Sequence, residues 1–266
     1  MCHMTLTYVV KHAAYARIAI AQGRRERGEL YGRMVFFVVI LGVFSSLWRA
    51  VGETGLAIAA DPKALVWYLA ATEWILLSAP QIHIDIQETI RRGDVVYRLG
   101  QPASFVMAEC AAGMGAVALR MPVLGATAFL CAFGFTRWTP PLATIALFIP
   151  FAVAAVAMLV VLHLWIGMLA FWMQDVAPVF WLTQKLMFIF GGLMLPLTLY
   201  PAFMQRAAAL TPFPVMLFTP ASLMLGTGSV RPLLLARDLV LWGAAMTAAV
   251  QWTYRRAVAG LTVNGG

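Results

Sequence analysis

Along the chain, long uncharged apolar runs alternate with short segments rich in charge, proline or glycine. A helix needs about 20 mostly apolar residues to cross a bilayer's hydrocarbon core, and six runs reach that size. They extend from Tyr31 to Val51, Ala64 to Ile84, Pro102 to Phe135, Leu142 to Trp172, Pro178 to Leu199 and Leu233 to Tyr254. None alternates as a barrel strand does, and lipid admits only helices or closed barrels, so the pattern predicts an all-α membrane bundle of six spans. The third run is the longest: 34 residues at about 1.5 Å each come to roughly 51 Å. Splitting it at Arg120 to Pro122 would leave Val123 to Phe135, too short to cross, so one long helix kinked at Pro122 and projecting into the cytosol is expected.

After the fifth run the chain stays apolar, but Pro196, Pro201, Pro212, Pro214 and Pro220 break it up. Residues 196–231 suit either short helices that dip into the outer leaflet and return, or an extracytosolic loop lying on the surface. At the start of the chain, Leu6, Val9, Val10, Ala13 and Ile20 fall broadly on one side of a helix, while Lys11, Arg17, Arg24 and Arg25 can reach anionic headgroups. Residues 1–30 therefore read as a cytosolic interfacial helix ahead of one transmembrane domain over 31–266. They lack the compact apolar core and cleavage site of a signal peptide, and are expected to stay in the mature protein.

Composition agrees, with 62% apolar and 11% charged residues among 266, against about 25% charged in soluble domains. The net charge of +8 marks a cytosolic face rather than a nucleic-acid partner. With the amino terminus inside, Lys11, Arg17, Arg24, Arg25, Arg27, Arg33, Arg91, Arg92, Arg98, Lys185, Arg255 and Arg256 are cytosolic. Arg49, Lys63, Arg137, Arg206, Arg231 and Arg237 lie outside, so twelve face six and both termini are placed in the cytosol.

Catalytic signatures are missing. A phosphate-cradling P-loop needs Gly before its Lys, yet Lys11, Lys63 and Lys185 follow Val10, Pro62 and Gln184. None of His3, His12, His83 and His163 precedes a Glu, and no serine sits in a Gly-x-Ser-x-Gly elbow. No catalytic residue, metal site or cofactor is therefore assigned to this chain. Cys2, Cys110 and Cys131 form no disulfide framework, and the last two, 21 residues apart on one helix, read as packing.

The segment joining the second and third runs, residues 85–101, is the most informative. It reads as a short helix, with Asp85 as cap, Glu88 suiting the positive end and Gly93 closing it in a left-handed turn. Ile86 and Ile90 share a face too small to fold alone, so it packs on the protein's own bundle or docks in a partner's groove. A plain solvated loop is the competing reading.

The order Ile90, Arg91, Arg92, Gly93, Asp94, Val95, Val96, Tyr97, Arg98, Leu99, then Gln101 and Pro102, resembles the coupling loop of ABC-2 family transporter permeases, particularly the branch that includes viologen exporters. Leu169 to Asp175 (LAFWMQD) resembles that branch's fourth-span ending. Gly191 to Pro201 (GGLMLPLTLYP) with Thr211 to Pro214 (TPFP) resembles its fifth span and re-entrant hairpin. The resemblance implies a six-span exporter permease of the bacterial inner membrane. It would pair with a second permease, a copy or a paralogue, and with two ATPase subunits that bind ATP and Mg. Glu88, Arg91, Arg92, Gly93, Asp94, Tyr97 and Arg98 would then sit in a cleft of the ATPase. Gln101 departs from the basic residue expected before Pro102. Close helix approach at Gly42, Ser45 and Ser46 of the first span would suit the permease pair.

Ionisable groups within spans suggest a pathway or a buried pair. Glu73 is the deepest, flanked by Trp67, Tyr68 and Trp74, and Glu109 lies about two turns into the third span. A carboxylate among aromatic faces would suit a cationic aromatic substrate, and a structural pair would explain it equally. Glu109 and Arg120 are too distant to pair directly, Lys185 is expected to snorkel to the cytosol, and Arg237 with Asp238 reads as interfacial. The chief rival reading is an ion-gradient-driven secondary transporter or channel.

Overall fold

The structure, a computed structural model, describes residues 14–21, 27–53, 61–99, 104–226 and 231–264. Residues 14–21 form α1, followed by α2 (Arg27–Glu53), α3 (Pro62–Ser78), α4 (Ile82–Arg91), α5 (Val95–Leu99), α6 (Phe105–Thr136), α7 (Leu142–Met168) and α8 (Ala177–Phe190). Three short helices come next, α9 (Ala202–Ala209), α10 (Phe213–Met216) and α11 (Phe218–Ala221), and α12 (Pro232–Asn264) ends the chain. No strand occurs among the described residues.

Among the described residues, four helices are long and apolar enough to cross a membrane: Gly28–Val51, Phe105–Thr136, Leu142–Phe171 and Pro232–Gly260. The long third run is one helix that continues through Pro122. The second and fifth runs differ from the expectation. The second stops at Ser78, because Ala79 is extended (φ −71°, ψ 128°) ahead of Pro80, and a proline disfavours helix at the residue before it. That leaves α3 with 17 residues, about 26 Å. The fifth stops at Phe190, where Gly191 and Gly192 (φ +64°) turn the chain out of the helix.

α3 is buried nearly all round, as a helix apolar on every side must be, and packs on α2, α6 and α7. The broken end of α8 is fastened to it. Leaving a helix strips carbonyls of their partners, and here the Tyr68 hydroxyl donates to Gly192 O while Thr72 Oγ1 donates to Leu193 O at 2.7 Å. Beyond this point Leu193, Leu197, Met216, Leu217, Ala221 and Met224 are buried, so the proline-broken segment packs on α3 and α7. α1 lies against α6 at Gly115, where an added Cβ would stand 2.7 Å from the Ala16 Cα. Most of the interfacial segment 1–30 lies outside the described residues, as does Gln101.

Candidate coupling corner and intramembrane cavity

α4 begins three residues before the expected cap. Gln81 precedes it without a side-chain bond, and Asp85 sits in its first turn, where a carboxylate suits the helix dipole. Gly93, at φ +78°, makes the left-handed turn into α5. One face of α4, formed by Ile82, His83, Ile86 and Thr89, is buried on α7, with Ile86 fully enclosed. Of the two arrangements open for Ile86 and Ile90, the structure adopts packing on the protein's own bundle. Gln87 adds a tie, its Oε1 accepting the Val176 N–H at 2.7 Å just before α8.

The opposite face and the turn carry the exposed groups: Arg91, Arg92, Gly93, Asp94 and Arg98, with the apolar Ile84, Val96 and Tyr97 among them. Tyr97 is 80% exposed. Glu88 pairs with Arg92 at 2.7 Å, and Arg98 pairs with Glu109 of α6. The Arg98–Glu109 pair ties α5 to the start of α6, so Glu109 is engaged with the corner rather than with Glu73.

Glu73 lies in a cavity of about 440 Å³ between α2, α3, α7 and α8. The carboxylate is 2% exposed and its Oε2 has no protein hydrogen-bond partner. His163, Phe180, Met187 and Leu193 are among the walls, and Glu29, Arg33, Gln81, Thr183 and Gln184 supply polar lining. Trp67 and Trp74 do not join Glu73 there. They line a separate apolar cleft of about 300 Å³ beside Pro122 and Gly125. Their indole N–H groups donate elsewhere: Trp67 Nε1 to Trp138 O at 3.0 Å, and Trp74 Nε1 to Met121 O at 2.8 Å. The reason is geometric: positions 67 and 74 are seven apart and share one face of the helix, while position 73 points about 100° away from it.

Glu29 bridges Arg33 at 2.8 Å and Arg120 at 2.7 Å, joining α2 to α6. Arg33 also donates to Leu77 O, where α3 ends. Lys185 lies 5.3 Å from the Phe188 ring centroid and 5.9 Å from that of Trp181, on the exposed side of α8. Arg237 and Asp238 form an exposed pair at 2.8 Å. Gly42 faces Phe135 of α6, 3.5 Å from where a Cβ would stand, and Ser45 is buried. Of Gly42, Ser45 and Ser46, only Ser46 is exposed, and its hydroxyl donates to Gly42 O at 2.9 Å. The outward face instead shows Val35, Val39, Val43 and Leu47.

Sequence reasoning passed over Phe180, Gln87 and the Glu29 bridge. Glu29 and Arg33 stand four apart, a readable helical pair, but nothing local joins Glu29 to Arg120, 91 residues away. Outside the spans, burial holds the His83 imidazole at about 4, below its ordinary value, and His163 acts in the same direction.

A search of curated proteins finds no match. The family model described as "ABC-2 family transporter protein" matches residues 73–265, from Glu73 through the α4–α5 corner, α6, α7, α8 and the short helices to the end of α12. A multi-pass helical membrane protein matched over that length belongs to the ABC-2 transporter family.

Proposed function

We propose that the chain is the permease subunit of an ABC exporter in the bacterial inner membrane, and that its α4–α5 corner receives movement from separate ATPase subunits. The observation that carries this reading is the division of α4. Its apolar face is seated on α7, while the turn beyond it presents Arg91, Arg92, Asp94, Val96 and Tyr97 outward. A seated helix transmits displacement, and an exposed mixture of charge and aromatic surface gives a docking partner register and anchorage. Glu88 and Arg98 brace the corner through their ion pairs.

In this reading α3 and α8 complete six crossings with the four long helices, residues 196–231 form a re-entrant region, and both termini are cytosolic. Two ATPase subunits bind ATP and Mg, and a second permease, identical or paralogous, completes the path. The outward valines of α2 offer that second copy an apolar face, with Ser46 on the same side. The order of LAFWMQD, GGLMLPLTLYP and TPFP favours the branch that includes viologen exporters.

The Glu73 cavity is the proposed substrate path, with an unpartnered carboxylate as its polar anchor and Glu109 acting only at the corner. That same carboxylate also favours a second reading, an ion-gradient-driven transporter, which would move substrate without an ATPase. One experiment separates them. An ABC ATPase subunit from the same organism is co-expressed with this chain and purified through it, with Arg91→Glu/Arg92→Glu/Tyr97→Ala as the comparison. The permease reading expects the wild type to retain the ATPase and the triple variant, equally folded, to lose it at least about tenfold. Retention by both, or transport by vesicles holding this chain alone, would overturn it.

A further inference from the structure

Three aromatic rings stand where α4 meets the bundle. His83 of α4 stacks on Phe180 of α8, with centroids 4.0 Å apart and planes at 20°. His163 of α7 meets both edge-on, at 5.4 Å from His83 and 5.5 Å from Phe180. His163 Nδ1 also lies 2.8 Å from Pro80 O, in the break between α3 and α4. All three rings are buried, His83 at 3%, His163 at 5% and Phe180 at 8% exposure. Phe180 and His163 are at the same time walls of the Glu73 cavity.

The two sites therefore share side chains. Close-packed interiors transmit displacement rather than absorb it, and no solvent gap separates these rings. Pro80 uncouples α4 from α3 in the backbone, whereas the His83 stack, the Gln87–Val176 bond and the close approach of Gly167 to Ile86 bind α4 to α7 and α8. A ligand entering the cavity meets Phe180, and Phe180 meets His83.

We propose that the His83–Phe180 stack, steadied by His163, is the transmission element between the Glu73 cavity and α4, so that filling the cavity moves α4 and moving α4 reshapes the cavity. His83 and Phe180 are thereby positioning residues for transport, an assignment that rests on the permease reading for its purpose but not for its test.

The test uses the full chain alone in lipid nanodiscs, with hydrogen exchange of the α4 amides as readout. Met187→Trp places an indole in the cavity and is expected to shift α4 exchange by at least about fivefold relative to wild type. His83→Ala in the same background should abolish that response, and His83→Phe, which keeps a ring on Phe180, should restore it. Met194→Trp, at an exposed part of the cavity lining, repeats the comparison where Met187→Trp lowers the yield of folded protein. Unchanged α4 exchange with the cavity filled, or a response that survives His83→Ala, would overturn the proposal. Failure of an ATPase to bind the corner would remove the permease reading and leave these exchange results standing.

Discussion

Gly167 of α7 lies directly beneath Ile86 of α4: a Cβ built on the glycine would stand 2.9 Å from the Ile86 Cβ and 3.1 Å from the His83 Cα. The His83 atom is backbone, so the neighbour cannot yield by changing rotamer. Gly167→Ala should gain up to about 1 kcal/mol of helix propensity on α7. It should lose about 1–3 kcal/mol to overpacking at the seat of α4. The net expectation is faster hydrogen exchange confined to α4, with α6 and α12 unchanged. Uniform exchange across the chain would show that the seat tolerates a methyl group.

Arg98 and Glu109 tie α5 to α6 through a part-exposed ion pair. With the Arg98 side chain 45% exposed, solvent screening holds the expected worth of the pair to about 1 kcal/mol or less. The discriminating measurement is a charge swap read by thermal melting in detergent. Arg98→Glu and Glu109→Arg alone should each lower the midpoint, and the double variant should recover part of the loss. Strict additivity of the two single effects would mean that the pair is unproductive.

His83 supplies a pH dependence whose sign is fixed. Its folded value, about 4, lies below the ordinary imidazole value of 6.5, so the unfolded segment takes up the proton first as pH falls. The contribution of neutral His83 is complete above about pH 6.5 and is lost progressively between there and about 4. Exchange of the α4 amides, corrected for intrinsic rates, is expected to be faster at about pH 5 than at about pH 7, and His83→Phe, which leaves the neighbouring His163 in place, should reduce the difference. An equal pH response in the His83→Phe protein would assign the effect to another group.

The parts of this architecture that were legible in the sequence are those written locally. The long apolar runs became α2, α6, α7 and α12, and Gly93 adopts the positive φ that a glycine closing a short helix suggests. Pro80 and the Gly191–Gly192 pair are equally visible, yet apolar content on both sides masks them, so the second and fifth runs extend in the sequence pattern beyond the helices that form. What local pattern could not supply is convergence. Trp67 and Trp74 are near Glu73 in sequence but turn to another cleft, whereas Phe180, more than 100 positions later, shares its cavity. Gly42 illustrates the same limit, since a small residue permits close approach without saying which helix approaches, and here it is Phe135 of α6 that faces it.

Gly115 has a consequence for how the amino-terminal helix is retained. With no side chain between Ala16 and α6, main chain rests on main chain, and the berth has no adjustable part. A side chain larger than hydrogen at that one position would force the two main chains apart, since neither has a rotamer with which to yield.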